Sequence, residues 1–273
     1  MINNDQIPIS IIIPVSTDQK IFDCIQSIDI NTETIIILNG NYDKRIEQKL
    51  KTLRNIKLYY LEKFNFSKIY NTGIKKAKYE NVFFMDSDCI FNKGTLLKLY
   101  SNLKQHLIIK GRIVFSYNNF IQKIIARARE FTTSDFPNLF IPGAIFKKEV
   151  FEKVGLFNEK IKFTSDAEME TRIKNANIPW LFMPDINIIH APLTIKQDLK
   201  SAFRYGSGRS QKHTALNTTK SKSLIQEFYY YFVIGQKHKG FLTALYLVLW
   251  WICFTLGFYS NQVAKLFRSI NNE

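Results

Sequence analysis

Two acidic residues separated by one position follow directly on a short apolar run. Residues 82–85 form the run, and Asp86 and Asp88 come immediately after it. A short run of apolar and aromatic residues bounded by polar ones predicts a buried strand. Carboxylates at the end of such a strand face the crevice where α/β sheets bind ligands. Asp86 and Asp88 are therefore candidate oxygen ligands for Mg²⁺ or Mn²⁺, which usually also take oxygens from a substrate phosphate. An acidic turn that caps the next element is the alternative.

The elements that would position these acids alternate in type from the start of the chain. Apolar runs predict strands at Ile9–Val15, residues 34–38 and Ile56–Leu61. Helical spacing predicts a helix after each strand, the third one capped by Ser67. This order implies an α/β fold whose mostly parallel sheet has helices on both faces.

Later elements follow a looser pattern of the same kind. Further strands are predicted within residues 107–117 and at 186–190, and further helices at 96–103, around 150–154 and from Ser165. The short apolar stretch at the start of the chain, interrupted by Pro14, predicts a first strand and not a signal peptide.

The charge of the chain indicates an anionic partner. Its formal net charge is +15, which fits nucleic acid, anionic lipid or a phosphorylated substrate. One block of basic residues is opposed only by Asp198. Its members are Lys196, Lys200, Arg204, Arg209, Lys212, Lys220 and Lys222. Because the block precedes the most hydrophobic part of the chain, a membrane surface is favoured over DNA. The alternative is a solvated helix face.

The last part of the chain is strongly apolar. Residues 240–264 contain no charged side chain, and a helix of about 20 apolar residues is long enough to span about 30 Å of hydrocarbon. Trp250 and Trp251 lie in the middle of the segment, which leaves a re-entrant or an in-plane arrangement open. A buried terminal helix of a soluble fold is the other alternative. The three cysteines lie far apart, as expected for a reduced, cytosolic protein without disulfides or a zinc site.

Several short motifs follow one another along the chain. They are Pro14-Val15, Asn39-Gly40, Asn71-Thr72-Gly73, Asp86-Ser87-Asp88, Pro142-Gly143-Ala144, Ser165-Asp166-Ala167-Glu168 with Arg172, and His190. This ordered set resembles the family-2 nucleotide-sugar glycosyltransferases of GT-A fold, over about residues 7–210. The resemblance implies a GT-A-type, Rossmann-like sheet flanked by helices, followed here by a helical hydrophobic tail.

The resemblance also implies roles for the acidic residues and the histidine. Asp88 would hold a divalent ion, Asp86 would touch the ribose or a water on the metal, and His190 would be a further ligand. Imidazole suits Mn²⁺ better than Mg²⁺. Asp166 matches the family's base, which takes the proton of the acceptor hydroxyl as the sugar inverts. Its alternative role is structural, since an acid in a first helical turn is favourable through the helix dipole.

The same resemblance places the nucleotide donor. Residues matching its binding positions are Pro14, Val15, Asn39, Asn71, Gly73, Asp86 and Arg209. Relatives often have an aspartate where this chain has Asn39, whose amide can still hydrogen-bond a pyrimidine, so UDP or another pyrimidine-linked donor is expected. Arg209 follows Tyr205-Gly206-Ser207-Gly208, which we predict to be a mobile basic loop that closes over the diphosphate or grips lipid phosphate.

The resemblance thus predicts an inverting, metal-dependent glycosyltransferase. Residues 1–215 would form the catalytic domain and residues 216–273 a tail that anchors the protein at the cytoplasmic face of a membrane. The acceptor would be a surface glycan or a lipid-linked hydroxyl, and no nucleic acid would bind.

Two other function classes remain as alternatives. A sugar-phosphate nucleotidyltransferase shares the sheet and an acidic metal site, but it opens with a glycine-rich basic loop that residues 14–18 lack. A non-catalytic basic module for membrane or nucleic acid fits the charge, yet gives no reason for the ordered acids and histidine.

Overall fold

The computed structural model describes residues 6–218 and 223–270, so Lys220 and Lys222 lie outside the described residues. One sheet of eight strands has the order β3-β2-β1-β4-β7-β6-β8-β5. The strands are β1 Ile9–Val15, β2 Glu33–Asn39, β3 Ile56–Leu61, β4 Asn81–Phe84, β5 Cys89–Phe91, β6 Ile108–Phe115, β7 Ala144–Lys147 and β8 Leu181–His190.

Helices connect and follow these strands. They are α1 Ile21–Gln26, α2 Lys44–Lys51, α3 Phe66–Lys76, α4 Thr95–Asn102, α5 Phe120–Thr133, α6 Glu149–Val154, α7 Ser165–Asn175, α8 Ile195–Ala215, α9 Leu224–Tyr229, α10 Gly235–Lys239 and α11 Phe241–Ile270. A π-helical turn, Tyr230–Ile234, joins α9 to α10.

The parallel half of the sheet contains β3, β2, β1 and β4. Every residue of β1 and β2 is buried, as expected for parallel strands covered on both faces. The other half is antiparallel, with β7 between β4 and β6, and β5 beside β8. The predicted α/β fold, with its parallel sheet and flanking helices, is confirmed.

Helix α3 begins two residues earlier than predicted. Its N-cap is Asn65, whose side chain accepts a hydrogen bond from the Lys68 N–H at 3.1 Å. The prediction of Ser67 as the cap is wrong: Ser67 is a fully buried residue of the first turn. Asn65 has the extended backbone conformation that a cap requires.

The predicted loop around Tyr205-Gly206-Ser207-Gly208 is also wrong, because α8 runs through it without a break. Glycine here serves close packing and not a turn. A Cβ built at Gly206 would lie 1.8 Å from the carbonyl oxygen of Phe254 on α11. In the reverse direction, a Cβ at Gly257 would lie 1.9 Å from the carbonyl oxygen of Phe203 on α8. The backbones of α8 and α11 are therefore in direct contact, and only glycine permits so close an approach.

The described chain divides into two compact units. The first contains the chain up to Val114, Pro137–Phe157 and Met169–His190, and its core includes Ile12, Phe84 and Phe146. The second contains Phe115–Phe136, Asn158–Glu168 and the chain from Ala191 onward. Its core is formed by Ile125, Ala128, Phe131, Tyr246 and Leu247. The division into residues 1–215 and 216–273 stays a prediction, and packing groups α5 and α8 with the tail.

Among the described residues, one helical segment, Phe241–Lys265, is long and apolar enough to cross a membrane by length and composition. Its most apolar stretch of 18 residues is 39% buried. The core helix of a soluble protein passes the same test. The surroundings of this helix therefore determine whether it contacts lipid.

A buried carboxylate joins the first three strands at their amino-terminal ends. Glu33 accepts hydrogen bonds from the Lys57 ammonium at 2.6 Å, from the Lys78 N–H at 2.7 Å and from the Ser10 hydroxyl. Burial raises the pKa of Glu33, but the hydrogen bonds from Lys57, Ser10 and Lys78 outweigh it and lower the pKa below its ordinary value.

We expect Glu33→Gln to lower the free energy of unfolding by about 1–3 kcal/mol at neutral pH, because the charge-assisted bonds are lost. Since the folded pKa lies below the unfolded one, the stabilisation is complete above the unfolded pKa. It is lost as pH falls through the folded pKa, so the difference between variant and parent shrinks below about pH 4. Urea unfolding at several pH values measures this difference in the free energy of unfolding. Glu149→Gln, at an exposed acid paired with Lys153, is the matched control, and equal losses in both variants would contradict the prediction.

Candidate active site

The two acids of the Asp-Ser-Asp motif lie in the turn between β4 and β5. Met85 is fully buried, and its N–H donates to the carbonyl of Ile12 on β1 at 3.1 Å, which fixes where the chain leaves the sheet. The Cys89 N–H then donates to the Asp86 carbonyl at 3.2 Å and closes the turn. Both acids are half-buried. They stand at the carboxyl edge of the parallel strands, where α/β folds bind ligands.

The structure brings His190 to this turn. His190 is the last residue of β8, and in the antiparallel β5–β8 pair it lies directly opposite Cys89. Its Nε2 is 3.4 Å from Oδ2 of Asp88, and the two side chains are 13% and 26% exposed. Two residues far apart in the sequence thus place a nitrogen and an oxygen ligand atom at one partly open position.

Sequence reasoning missed Cys89, although it directly follows the acidic motif. The donor atoms of Asp88, Cys89 and His190 all lie within 4.8 Å of one another. Burial raises the pKa of the Cys89 thiol well above its ordinary value, and the charges of Asp88 and Asp86 raise it further. A protonated thiol is a weak ligand. The carboxylate and imidazole are the better donors, and this donor set fits Mn²⁺ and, with less preference, Mg²⁺.

A second buried thiol, Cys24, lies below the same turn. Its Sγ is 3.6 Å from the carbonyl oxygen of Asp86. Burial raises its pKa, and the charges of Asp86 and Asp88 add to that effect. Cys24 and Cys89 therefore act as small core side chains under the acidic turn.

Three predicted nucleotide-binding residues end the first two strands. Pro14 and Val15 are buried at the end of β1, and Asn39 ends β2 with 1% of its surface exposed. The Asn39 Nδ2 donates to the carbonyls of Val15 at 3.0 Å and Ile37 at 3.2 Å. Within the described residues, its buried Oδ1 receives no hydrogen bond. A buried acceptor of this kind is uncommon, and a ligand N–H would satisfy it.

The next two predicted residues lie on α3 and make contacts within the fold. The Asn71 side chain exchanges two hydrogen bonds with the backbone of Phe157, each 2.9 Å long. Gly73 lets α3 approach β1, since a Cβ there would lie 2.4 Å from Ile12 Cγ2. These contacts fasten α3 to its neighbours, so both residues have a positioning role whether or not they also touch a nucleotide.

The remaining two predicted residues belong to the second compact unit. Arg209 lies on α8, with its guanidinium 3.3 Å from the Glu227 carboxylate and over the ring of Phe254. Asp166 is half-buried in the first turn of α7, and its Oδ1 accepts from the Ala167 N–H at 2.9 Å. That hydrogen bond orients the carboxylate at the helix amino terminus.

Comparison with known proteins identifies the family of the chain and supports its fold. The family model described as "Glycosyl transferase family 2" matches residues 10–155, which include Asp86 and Asp88. None of the curated proteins matches the sequence. The crystal structure of S. aureus TarS 1–349 is 16% identical, with a TM-score of 0.52 over 94% of this chain and 92% of that one. A second crystal structure of S. aureus TarS is 18% identical, with a TM-score of 0.55 over 81% of this chain and 45% of that one. At these identities the likeness concerns the fold.

We expect Asp88→Asn and His190→Gln each to weaken Mn²⁺ binding by at least about tenfold, because each removes a ligand atom. Titration calorimetry with UDP present measures the affinity without requiring turnover. The control is Asp185→Asn, which changes an exposed acid on the same strand as His190. Unchanged affinity in both site variants would contradict the assignment of these two ligands.

Proposed function

The chain belongs to glycosyl transferase family 2, and from that premise we propose an inverting, metal-dependent transfer. The sugar of a nucleotide-diphosphate donor passes to a hydroxyl of a surface glycan or a lipid-linked acceptor. The observation that carries this proposal is the pairing of Asp88 with His190 at the carboxyl edge of the parallel strands. A carboxylate and an imidazole so placed suit a divalent cation, which usually also binds phosphate oxygens.

The donor-side residues bind and orient the nucleotide. Asp88 and His190 would hold the cation, and Asp86, in the same turn, would contact the ribose. When bound, the cation supplies positive charge against the negative charge that develops on the leaving diphosphate.

Asn39 selects the base through its buried Oδ1. Its Nδ2 already donates hydrogen bonds to two carbonyl oxygens. A flip of the amide that exchanged Oδ1 and Nδ2 would break both bonds, because a carbonyl oxygen needs a donor. The atom that remains for a ligand is an acceptor. Uracil presents an N–H at the position where cytosine presents an acceptor nitrogen, and this difference favours a UDP-linked donor.

Asp166 serves as the general base. Its carboxylate accepts the proton of the acceptor hydroxyl as that oxygen attacks the anomeric carbon, and the bond to the diphosphate breaks on the opposite face. One C–O bond forms, one breaks, and the sugar is inverted.

The acceptor side is at a membrane. The apolar α11, the net charge of +15 and the basic residues of α8 support association with an anionic cytoplasmic leaflet. A donor made in the cytosol and a hydrophobic or surface-bound acceptor would then meet at that leaflet.

A panel of nucleotide sugars tests the donor class. With Mn²⁺ present, we expect UDP-sugars to raise the melting temperature and to be hydrolysed slowly, and we expect chelation by EDTA to abolish both effects. A response to no UDP-sugar would contradict the donor assignment. Release of pyrophosphate from a nucleoside triphosphate and a sugar 1-phosphate would instead indicate a nucleotidyltransferase.

We expect Asp166→Asn to retain donor binding and to lose transfer by about a hundredfold or more, because the amide cannot accept the proton. The measurement compares donor affinity by calorimetry with turnover on an accepted acceptor. Asp23→Asn removes an exposed acid from the first turn of α1 and is the matched control. Turnover that survives in Asp166→Asn would remove this residue from the mechanism.

A further inference from the structure

One face of α11 carries a stripe of exposed apolar side chains, which we call the outer stripe. Its members recur mainly every three or four residues and are each between 43% and 64% exposed. They are Phe241, Leu242, Leu245, Leu249, Ile252, Leu256, Tyr259, Val263 and Phe267. At 1.5 Å per residue the stripe runs for about 40 Å along the helix. An apolar patch of this length on a folded surface marks a contact with a protein or a membrane.

The outer stripe continues onto the preceding helical segments. The ring of Phe232 in the π-helical turn contacts Phe241, a member of the stripe, with ring centroids 6.3 Å apart. Phe228 on α9 stacks on Phe232 with ring centroids 5.6 Å apart. Ile225 on α9 is 81% exposed. The patch is thus broader than one helix, and it is rich in the aromatic residues that favour the membrane–water boundary.

The opposite face of α11 is held by polar contacts along its middle. The Tyr246 hydroxyl donates to Asp198 at 2.7 Å, and the Trp251 Nε1–H donates to Glu227 at 3.0 Å. Asp198 is fully buried and Glu227 is 4% exposed. These carboxylates therefore depend on α11 to complete their hydrogen bonding.

Two arginines accompany the same carboxylates. Arg129 Nε is 3.4 Å from Asp198, and Arg209 Nη1 is 3.3 Å from Glu227. Four charged groups thus lie around the middle of a segment that hydropathy alone would place across a bilayer. If α11 crossed the membrane, these groups would enter hydrocarbon, or α11 would have to leave them behind. The backbone contacts at Gly206 and Gly257 also hold α11 against α8.

We propose that α11 lies in the plane of the membrane surface and does not cross it. The outer stripe inserts into the boundary between headgroups and acyl chains, as in other amphipathic interfacial helices. The partner is an anionic leaflet, since exposed Lys237 and Lys265 flank the two ends of the stripe and the chain carries +15 overall. This inference rests on the membrane association in the proposed function and adds its geometry.

Labelling at the two flanking lysines distinguishes the arrangements. Lys237→Cys and Lys265→Cys are made separately with Cys253→Ala, since Cys24 and Cys89 are buried. Sealed membrane vesicles of known orientation, from cells that synthesise the full chain, are treated with a membrane-impermeant maleimide. We expect both cysteines to react in the same vesicle orientation. Reaction in opposite orientations would show that α11 spans the bilayer and would overturn the proposal.

Substitution within the outer stripe tests the partner. We expect Leu249→Glu with Ile252→Glu to weaken binding to phosphatidylcholine–phosphatidylglycerol vesicles by about tenfold or more. Leu97→Glu, at a leucine of similar exposure on α4, should bind as the parent does. Circular dichroism and thermal melting confirm that the variants are folded. Parent protein that does not bind these vesicles would refute a lipid partner, and a stripe-dependent dimer in light scattering would assign the face to a second copy.

The donor assay separates this inference from the proposed function. The stripe variants should keep the melting shift and the hydrolysis seen with the accepted UDP-sugar. If they keep both and still bind vesicles normally, the in-plane inference fails while the transferase stands. If the parent binds vesicles through the stripe but responds to no nucleotide sugar, the proposed function fails and the membrane surface remains.

Discussion

The register between β5 and β8 is the constraint on which the candidate metal site depends. Because Cys89 lies opposite His190, the histidine at the end of one strand reaches the acid just before the other. Successive side chains on a strand point to opposite faces, so a slip of one residue would turn His190 away from Asp88. β5 is only three residues long, and the longer β8 on one side and the closed turn from Asp86 to Cys89 on the other hold it in place.

The acidic turn in turn depends on the buried parallel strands. Met85 is bound to the backbone of β1, and Gly73 lets α3 lie directly on Ile12 of the same strand. Small thiols fill the space under the carboxylates, where larger side chains would displace the turn. The site therefore lies at the surface, but core packing fixes its position. Binding sites held by rigid elements in this way are more precise than sites on loops.

Much of this arrangement follows from local sequence, and the remainder needs contacts between distant residues. The bounds of β1 agree with its apolar run, because a fully buried strand has a strong local signature. The bounds of β3 also agree with its run, although its residues are only half-buried or exposed. β5 has no local signature, since three residues give no periodic signal. The local pattern in the middle of α8 predicts a loop because Gly206 and Gly208 are turn residues in most contexts. The reason for these glycines appears only in the fold, where each lies against the backbone of another segment. The spacing of the two acids is enough to single them out, whereas the place of His190 follows only from the family resemblance, and no local signal indicates Cys89.

The hydropathy of α11 is also a local pattern that does not predict the contacts of the helix. A hydropathy window averages over the whole circumference of a helix, so it gives one value for a helix with two unlike faces. In α11 the outer stripe raises that value, while Tyr246 and Trp251 on the other side bind carboxylates. A helix that spans lipid alone has no use for an aromatic hydroxyl or indole N–H directed at a buried acid. The hydrogen-bond partners of Tyr246 and Trp251, and not the mean hydropathy, determine which face of α11 contacts protein and which can contact lipid.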